Sequence, residues 1–89
     1  MEEDGALIVS RAGNWAVVHM PGRRFPGIHV QGDTFAALRE QLAGAARVLR
    51  DEPANLRALD EVDSVVEEMS AMLTVYEHVL AERGIQRPY

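Results

Sequence analysis

The stretch "LDEVDSVVEEMSAMLTVYEHVLAERG", residues 59–84, carries the strongest structural signal in the chain. Its apolar residues recur at alternating spacings of three and four, the pattern of a helix that packs along one seam. That seam consists of Leu59, Val62, Val66, Met69, Leu73, Tyr76 and Leu80. Gly84 is suited to end the helix, and Pro88 prevents it from resuming. With Pro53 at its first turn, the pattern predicts a helix over residues 53–83.

The stretch upstream predicts a partner helix. Its apolar residues also recur at spacings of three and four: Phe35, Leu38, Leu42, Ala45 and Leu49. Asp33 is suited to cap a helix over residues 34–50, because its carboxylate can accept hydrogen bonds from the free amides of the first turn. "DEPAN", residues 51–55, interrupts the pattern. The two helices are therefore expected to form an antiparallel hairpin over residues 33–83.

Three short apolar runs near the start predict β-strands. They are "ALIVS" (6–10), "WAVVHM" (15–20) and "GIHVQ" (27–31). Gly13-Asn14 suits a tight turn between the first two runs, and short connections favour an antiparallel meander. The predicted fold is α+β with element order βββαα in a single domain, 1–89. It comprises a three-stranded meander (6–31), the helical hairpin (33–83) with its long C-terminal helix, and a tail (84–89).

The loop "PGRRFP" decides the predicted pairing of the second and third strands. If the loop is symmetric, His19 lies opposite Ile28 and Val17 lies opposite Val30. One face then carries Trp15, Val17, Ile28 and Val30. His19 and His29 fall on opposite faces with no third ligand nearby, so no metal site is predicted.

Composition and charge restrict the class of protein. The chain has 89 residues, is 47% hydrophobic and carries a net charge of −5, which indicates a globular protein. There is no cysteine, so disulfides and thiolate metal sites are excluded. Residues 5–50 hold six arginines against two acids, whereas residues 51–82 hold nine acids against one arginine. "MEEDG" at the start is acidic and is not followed by the long apolar h-region of a signal peptide, so a cytoplasmic protein without membrane contact is expected.

The length of the second helix predicts a partner. It would be about 46 Å long, whereas the first helix covers about 26 Å of it. The seam from about Met69 onward then needs another cover. The sheet could supply part of it, or the helix could break near Ser70, but a homodimer is the preferred interpretation. The predicted dimer interface consists of Met69, Met72, Leu73, Tyr76 and Leu80.

Motifs for catalysis are missing from the sequence. No serine lies in a nucleophile-elbow context, and zinc-binding HExxH and CxxC spacings are absent. The chain is predicted not to be an enzyme and to need no cofactor. His78 precedes Glu82 by four residues, which predicts a surface ion pair.

The loop "PGRRFPG", residues 21–27, is the candidate binding element. Its prolines restrict φ and its glycines permit positive φ, so the loop loses little entropy when it is ordered. Arg23 and Arg24 would stand at the tip with Phe25 folded inward, and arginines on a stiff loop can grip carboxylate or phosphate groups. The alternative is a solvated turn.

The motifs "PGRRFPGIHVQGDT" (21–34) and "YEHVLAERGIQRPY" (76–89) resemble a set of small uncharacterised bacterial proteins. That resemblance implies a shared fold, no established activity and no site residues. "FPGIHVQGDTFAAL" (25–38) is similar to a strand-to-helix junction of HicB-type antitoxins.

Three functions follow from these features. The first is a non-catalytic protein-binding or regulatory module, such as an antitoxin, an immunity protein or a small accessory protein, whose acidic helix would face a basic protein. The second is a nucleic-acid-binding regulator using Arg11, Arg23, Arg24 and Arg39, which a net negative chain disfavours. The third is a small-ligand binder or enzyme with a pocket between sheet and helices.

Overall fold

The computed structural model describes residues 7–89, apart from the side chains of residues 7 and 9–12. Three strands are followed by two helices: β1 (Leu7–Ala12), β2 (Trp15–His19), β3 (Gly27–Val30), α1 (Gly32–Asp51) and α2 (Leu56–Glu82). Ala6, the predicted start of the first strand, and "MEEDG" lie outside the described residues. No helix within residues 7–89 is both long and apolar enough to cross a bilayer.

The first two strands form the predicted hairpin. Ala12 pairs with Trp15, so Gly13 and Asn14 are the only turn residues between them. Gly13 has φ of 62° and Asn14 does not have positive φ, which is the backbone of a type II′ turn. The pairing of β1 shifts between Ile8 and Ser10, so one extra residue bulges out of this strand.

The predicted pairing of β2 with β3 is wrong by two residues. Val17 lies opposite Ile28 and Trp15 lies opposite Val30. The loop is not symmetric, because the chain turns at once in a type II turn: the amide of Arg23 donates to the carbonyl of Met20 at 3.3 Å. Gly22 has φ of 76° at the third turn position, which type II requires. A shift of two keeps every side chain on its predicted face, so the shared face of Trp15, Val17, Ile28 and Val30 is confirmed.

Both helices begin at residues other than those predicted. The amide of Ala58 donates to Oδ1 of Asn55 at 2.9 Å, so Asn55 caps α2 and Pro53 lies in the connection before it. α1 begins at Gly32. Asp33 Oδ1 accepts from the adjacent amide of Thr34 at 2.7 Å, whereas an N-cap accepts from two or three residues ahead. Asp33 is therefore part of the first turn and not its cap.

The end of α2 is the one predicted. Gly84 has φ of 70°. Its amide donates to the carbonyl of Ala81 at 3.2 Å, and the amide of Ile85 donates to the carbonyl of Leu80 at 2.9 Å. These two bonds form a Schellman motif, which satisfies carbonyls left free at the helix end.

The chain divides into two compact units. One, the sheet unit, comprises the strands together with Met72–Tyr89, and the other, the hairpin unit, is Gly32–Ala71. The α+β class is confirmed, but the predicted topology, with a meander over 6–31 and a separate hairpin over 33–83, is wrong, because α2 is divided between the two units. From Met72 onward, α2 groups with the strands.

The core of the sheet unit is an apolar cluster of Val17, Tyr76, Val79 and Leu80, against which Ile28, Val75 and Ile85 pack. The sheet therefore covers the end of α2, contrary to the length argument for a second copy at that place. Met72, Tyr76 and Leu80 are buried within the chain, so they cannot belong to the predicted dimer interface. Of that predicted set, Met69 and Leu73 are exposed.

The hairpin unit buries much less. Its buried apolar residues are Ala45, Ala58 and Val65. Ala45 of α1 and Ala58 of α2 line one shallow cavity, and Gln41 Nε2 donates to the carbonyl of Glu61 at 3.0 Å. α1 thus packs on the side of α2 that carries Ala58, which is beside the seam predicted from the sequence. Leu59, Val66 and Met69 of that predicted seam are left exposed.

Candidate functional site

The loop between β2 and β3 is anchored by one side chain from the other end of the protein. Tyr76 on α2 donates its hydroxyl to the carbonyl of Pro26 at 2.6 Å. Pro26 and Tyr76 are both buried, and burial raises the pKa of the Tyr76 hydroxyl. At its other end the loop is held by His19, whose Nε2 donates to the carbonyl of Arg23 at 2.8 Å. The loop is therefore held at Arg23 and at Pro26.

A groove of about 480 Å³ lies beside this loop. Its lining comprises Met20, Arg23, Arg24, Phe25, Pro26, Gly27, Tyr76 and Pro88, and we call it the arginine groove. Most of these side chains are apolar, and the two arginines supply the positive charge. The ionisable side chains in the lining are two arginines and one tyrosine.

The two arginines are available for a ligand. The guanidinium carbon of Arg24 lies 5.3 Å from the centroid of the Phe25 ring, a cation–π distance that orients the guanidinium group. Both arginines are exposed, and Phe25 is half-buried. Among residues 13–89, no carboxylate forms an ion pair with either arginine. The structure thus places Arg23, Arg24 and Phe25 together in one groove, and their role in binding an anion or a partner stays a prediction.

The C-terminal tail contributes a contact that the sequence did not predict. Arg87 Nη1 and the Tyr89 hydroxyl both donate to Glu77 Oε2, at 3.1 and 2.9 Å. The hydrogen bonds from Tyr89 and Arg87 lower the pKa of Glu77. Burial, followed by the Glu77 carboxylate, raises the pKa of Tyr89. These bonds hold the tail on α2, so that Pro88 reaches the arginine groove.

The remaining candidates separate into confirmed and untested predictions. His78 and Glu82 form the predicted ion pair at 3.2 Å. His29 lies opposite Ala16, hence on the other face from His19, and no group of three metal-ligating side chains occurs among the described residues. Arg39 pairs with Glu40 at 3.2 Å on α1. The side chain of Arg11 lies outside the described residues.

Comparison with known proteins identifies a family. The family of unknown function DUF6959 matches residues 1–89. The chain belongs to that family. No curated protein and no solved structure matches it. The resemblance to an uncharacterised family is thus confirmed at the level of the family, whereas the likeness to HicB-type antitoxins stays a hypothesis.

Proposed function

We propose that this protein is a non-catalytic binding module that grips a carboxylate-bearing segment of another protein in the arginine groove. The observation that carries the proposal is the pair Arg23 and Arg24, which stands on an anchored loop without a carboxylate partner among residues 13–89. An antitoxin or a small accessory protein, to which the HicB-type likeness of residues 25–38 points, would be a module of this kind.

The chemistry of the groove supports a protein ligand over a free anion. A guanidinium group binds a carboxylate through two parallel hydrogen bonds, and Arg24 is oriented for this by its contact with Phe25. Met20, Phe25 and Pro88 beside it offer apolar surface for a neighbouring side chain. Because the loop is already held by Tyr76 and His19, little ordering entropy is lost on binding.

A peptide titration tests the proposal. The probe is a labelled short peptide of glutamate and phenylalanine, followed by fluorescence polarisation, with the lysine–phenylalanine analogue as the reference peptide. We expect Arg23→Ala with Arg24→Ala to weaken binding of the acidic peptide by about tenfold or more. The melting temperature should change little, because exposed loop arginines contribute about 0.5 kcal/mol or less.

The matched control removes the same net charge elsewhere. Arg57 and Arg83 are exposed and do not line the arginine groove, so Arg57→Ala with Arg83→Ala should leave the affinity within about twofold. Equal losses in the two double variants would mean that only net charge matters, and the groove would not be the site. Duplex DNA that binds more tightly than the acidic peptide would favour the nucleic-acid alternative and overturn the proposal.

The acidic surface of α2 is a second candidate surface, for a basic protein. Asp60, Asp63 and Glu67 are exposed and form no ion pair among residues 13–89. This candidate predicts that Asp60→Asn with Glu67→Gln weakens a partner whose binding Arg23→Ala with Arg24→Ala leaves unchanged.

A further inference from the structure

The hairpin unit presents a face of uncovered apolar side chains. This hairpin face consists of Phe35 and Leu42 on α1 with Leu59, Val66 and Met69 on α2. Phe35 is 64% exposed, Val66 51% and Met69 52%. Soluble monomers rarely leave such residues uncovered as a contiguous patch.

These residues lie on one side of the hairpin. An α-helix turns about 100° per residue, which puts Leu42 about 60° round α1 from Ala45, and Val66 about 80° round α2 from Ala58. The rotation has the same sense on both helices. Ala45 and Ala58 mark the line along which the helices contact each other. Because the helices are antiparallel, rotation in the same sense brings the exposed apolar residues of both helices to the same side of the hairpin.

Opposite charges border this face. Arg39 lies about 120° round α1 from the contact line, and Asp63 lies about 140° round α2 from it. Both residues are just beyond the exposed apolar residues of their helix. Among residues 13–89, the adjacent Glu40 is the only ion-pair partner of Arg39. The two side chains are 71% and 72% exposed, and such pairs contribute little to stability. Asp63 forms no ion pair among residues 13–89. The face is therefore positive along one edge and negative along the other.

We propose that a second copy of the chain covers the hairpin face, with α1 of each copy lying on α2 of the other in a four-helix bundle. A two-fold axis parallel to the helices produces this arrangement. It leaves each residue of the second copy at the same height along the bundle as in the first copy. Gln41 lies level with Glu61, so Arg39 is level with Asp63 and Phe35 is level with the turn that holds Val66 and Met69. Arg39 of one copy then meets Asp63 of the other, twice per dimer, as a closed two-fold interface requires.

This proposal is independent of the arginine groove. The groove belongs to the sheet unit, and none of its lining residues is on the hairpin face. It also differs from the dimer predicted from sequence, because Met72, Tyr76 and Leu80 are buried within the chain and have no part in it.

Sedimentation over a range of concentrations tests the association. The wild type should have a mass of twice 9.9 kDa. Val66→Arg should weaken the dimer by about a hundredfold or more, because it buries an unpaired charge. Ser64→Arg is the matched control: Ser64 is exposed and lies on the side of α2 away from the face, so the dimer should persist. A wild type that stays at 9.9 kDa at high concentration overturns the proposal, and so does a higher oligomer.

A charge-reversal cycle tests the arrangement without touching the apolar residues. Arg39→Glu and Asp63→Arg should each weaken the dimer by about tenfold, because each places like charges together at two symmetric positions. The double variant Arg39→Glu with Asp63→Arg should restore dimerisation to within about threefold. If the double variant loses as much dimer affinity as the two single variants lose together, the two residues do not meet and the proposed bundle is wrong.

Discussion

The two parts of α2 that belong to different units share one pattern of apolar spacing but have different surroundings. Both carry apolar residues at spacings of three and four. From Met72 onward the chain itself covers most of them: Tyr76, Val79 and Leu80 pack against Val17, whereas Leu73 is exposed. Before Met72, Leu59, Val66 and Met69 stay exposed. An apolar repeat therefore shows that a helix needs a cover, but it does not show whether the same chain supplies it.

The difference has a cause in the residues opposite each part. β2 offers Val17, a large side chain that is fully buried. α1 instead faces α2 through small residues, with Gly44 and Ala45 near Ala58. Small side chains bury little apolar area, and the stabilisation is proportional to that area.

Truncating one leucine in each part should give the largest effect. Leu80 is 1% exposed and Leu59 is 39% exposed. Leu80→Ala should lower the free energy of unfolding by about 2–5 kcal/mol, the cost of a cavity in a core. Leu59→Ala should lower it by about 1 kcal/mol or less at high dilution. Urea denaturation measures both, and equal losses would show that the two parts of α2 are covered equally well.

A smaller effect is expected from the hydroxyl that ties the loop to α2. Tyr76→Phe removes the donor to the buried Pro26 carbonyl and should lower the free energy of unfolding by about 1–3 kcal/mol, the cost of an unsatisfied buried group. Tyr89→Phe is the matched control. Its hydroxyl bonds to Glu77 on the surface, and its loss should cost about 0.5 kcal/mol or less. A reversed order would mean that Tyr76 is not the anchor.

The smallest effect concerns acid and the tail. The pKa of Glu77 is lowered by its bonds to Tyr89 and Arg87. The tail contact is therefore fully present above the ordinary glutamate pKa and is lost as the pH falls through the lowered value. NMR signals of Arg87 and Tyr89 should shift as the pH falls below the ordinary glutamate pKa, and Glu77→Gln should shift them at neutral pH. Glu82→Gln, which removes the carboxylate of the His78 pair, should leave them in place.

The candidate site was predictable only in part. Arg23, Arg24 and Phe25 are adjacent in the sequence, and the prolines and glycines around them indicate a stiff loop. Tyr76 and Pro88 complete the groove from far along the chain, and no local pattern marks either as a neighbour of Pro26. The bond between Glu77 and Tyr89 was missed for the same reason, because its partners meet only after the chain turns at Gly84.

Local chemistry decided the turns, the helix end and the faces of the strands. Gly13 and Gly84 adopt positive φ where the sequence predicts it, because such a conformation depends on one residue and its neighbours. Tertiary packing decided which stripe of α2 meets α1, and that the end of α2 packs with the strands. α2 carries several adjacent apolar stripes, and the periodicity of the sequence does not show which of them α1 contacts. The choice depends on side-chain size across the contact, which appears only when distant segments meet.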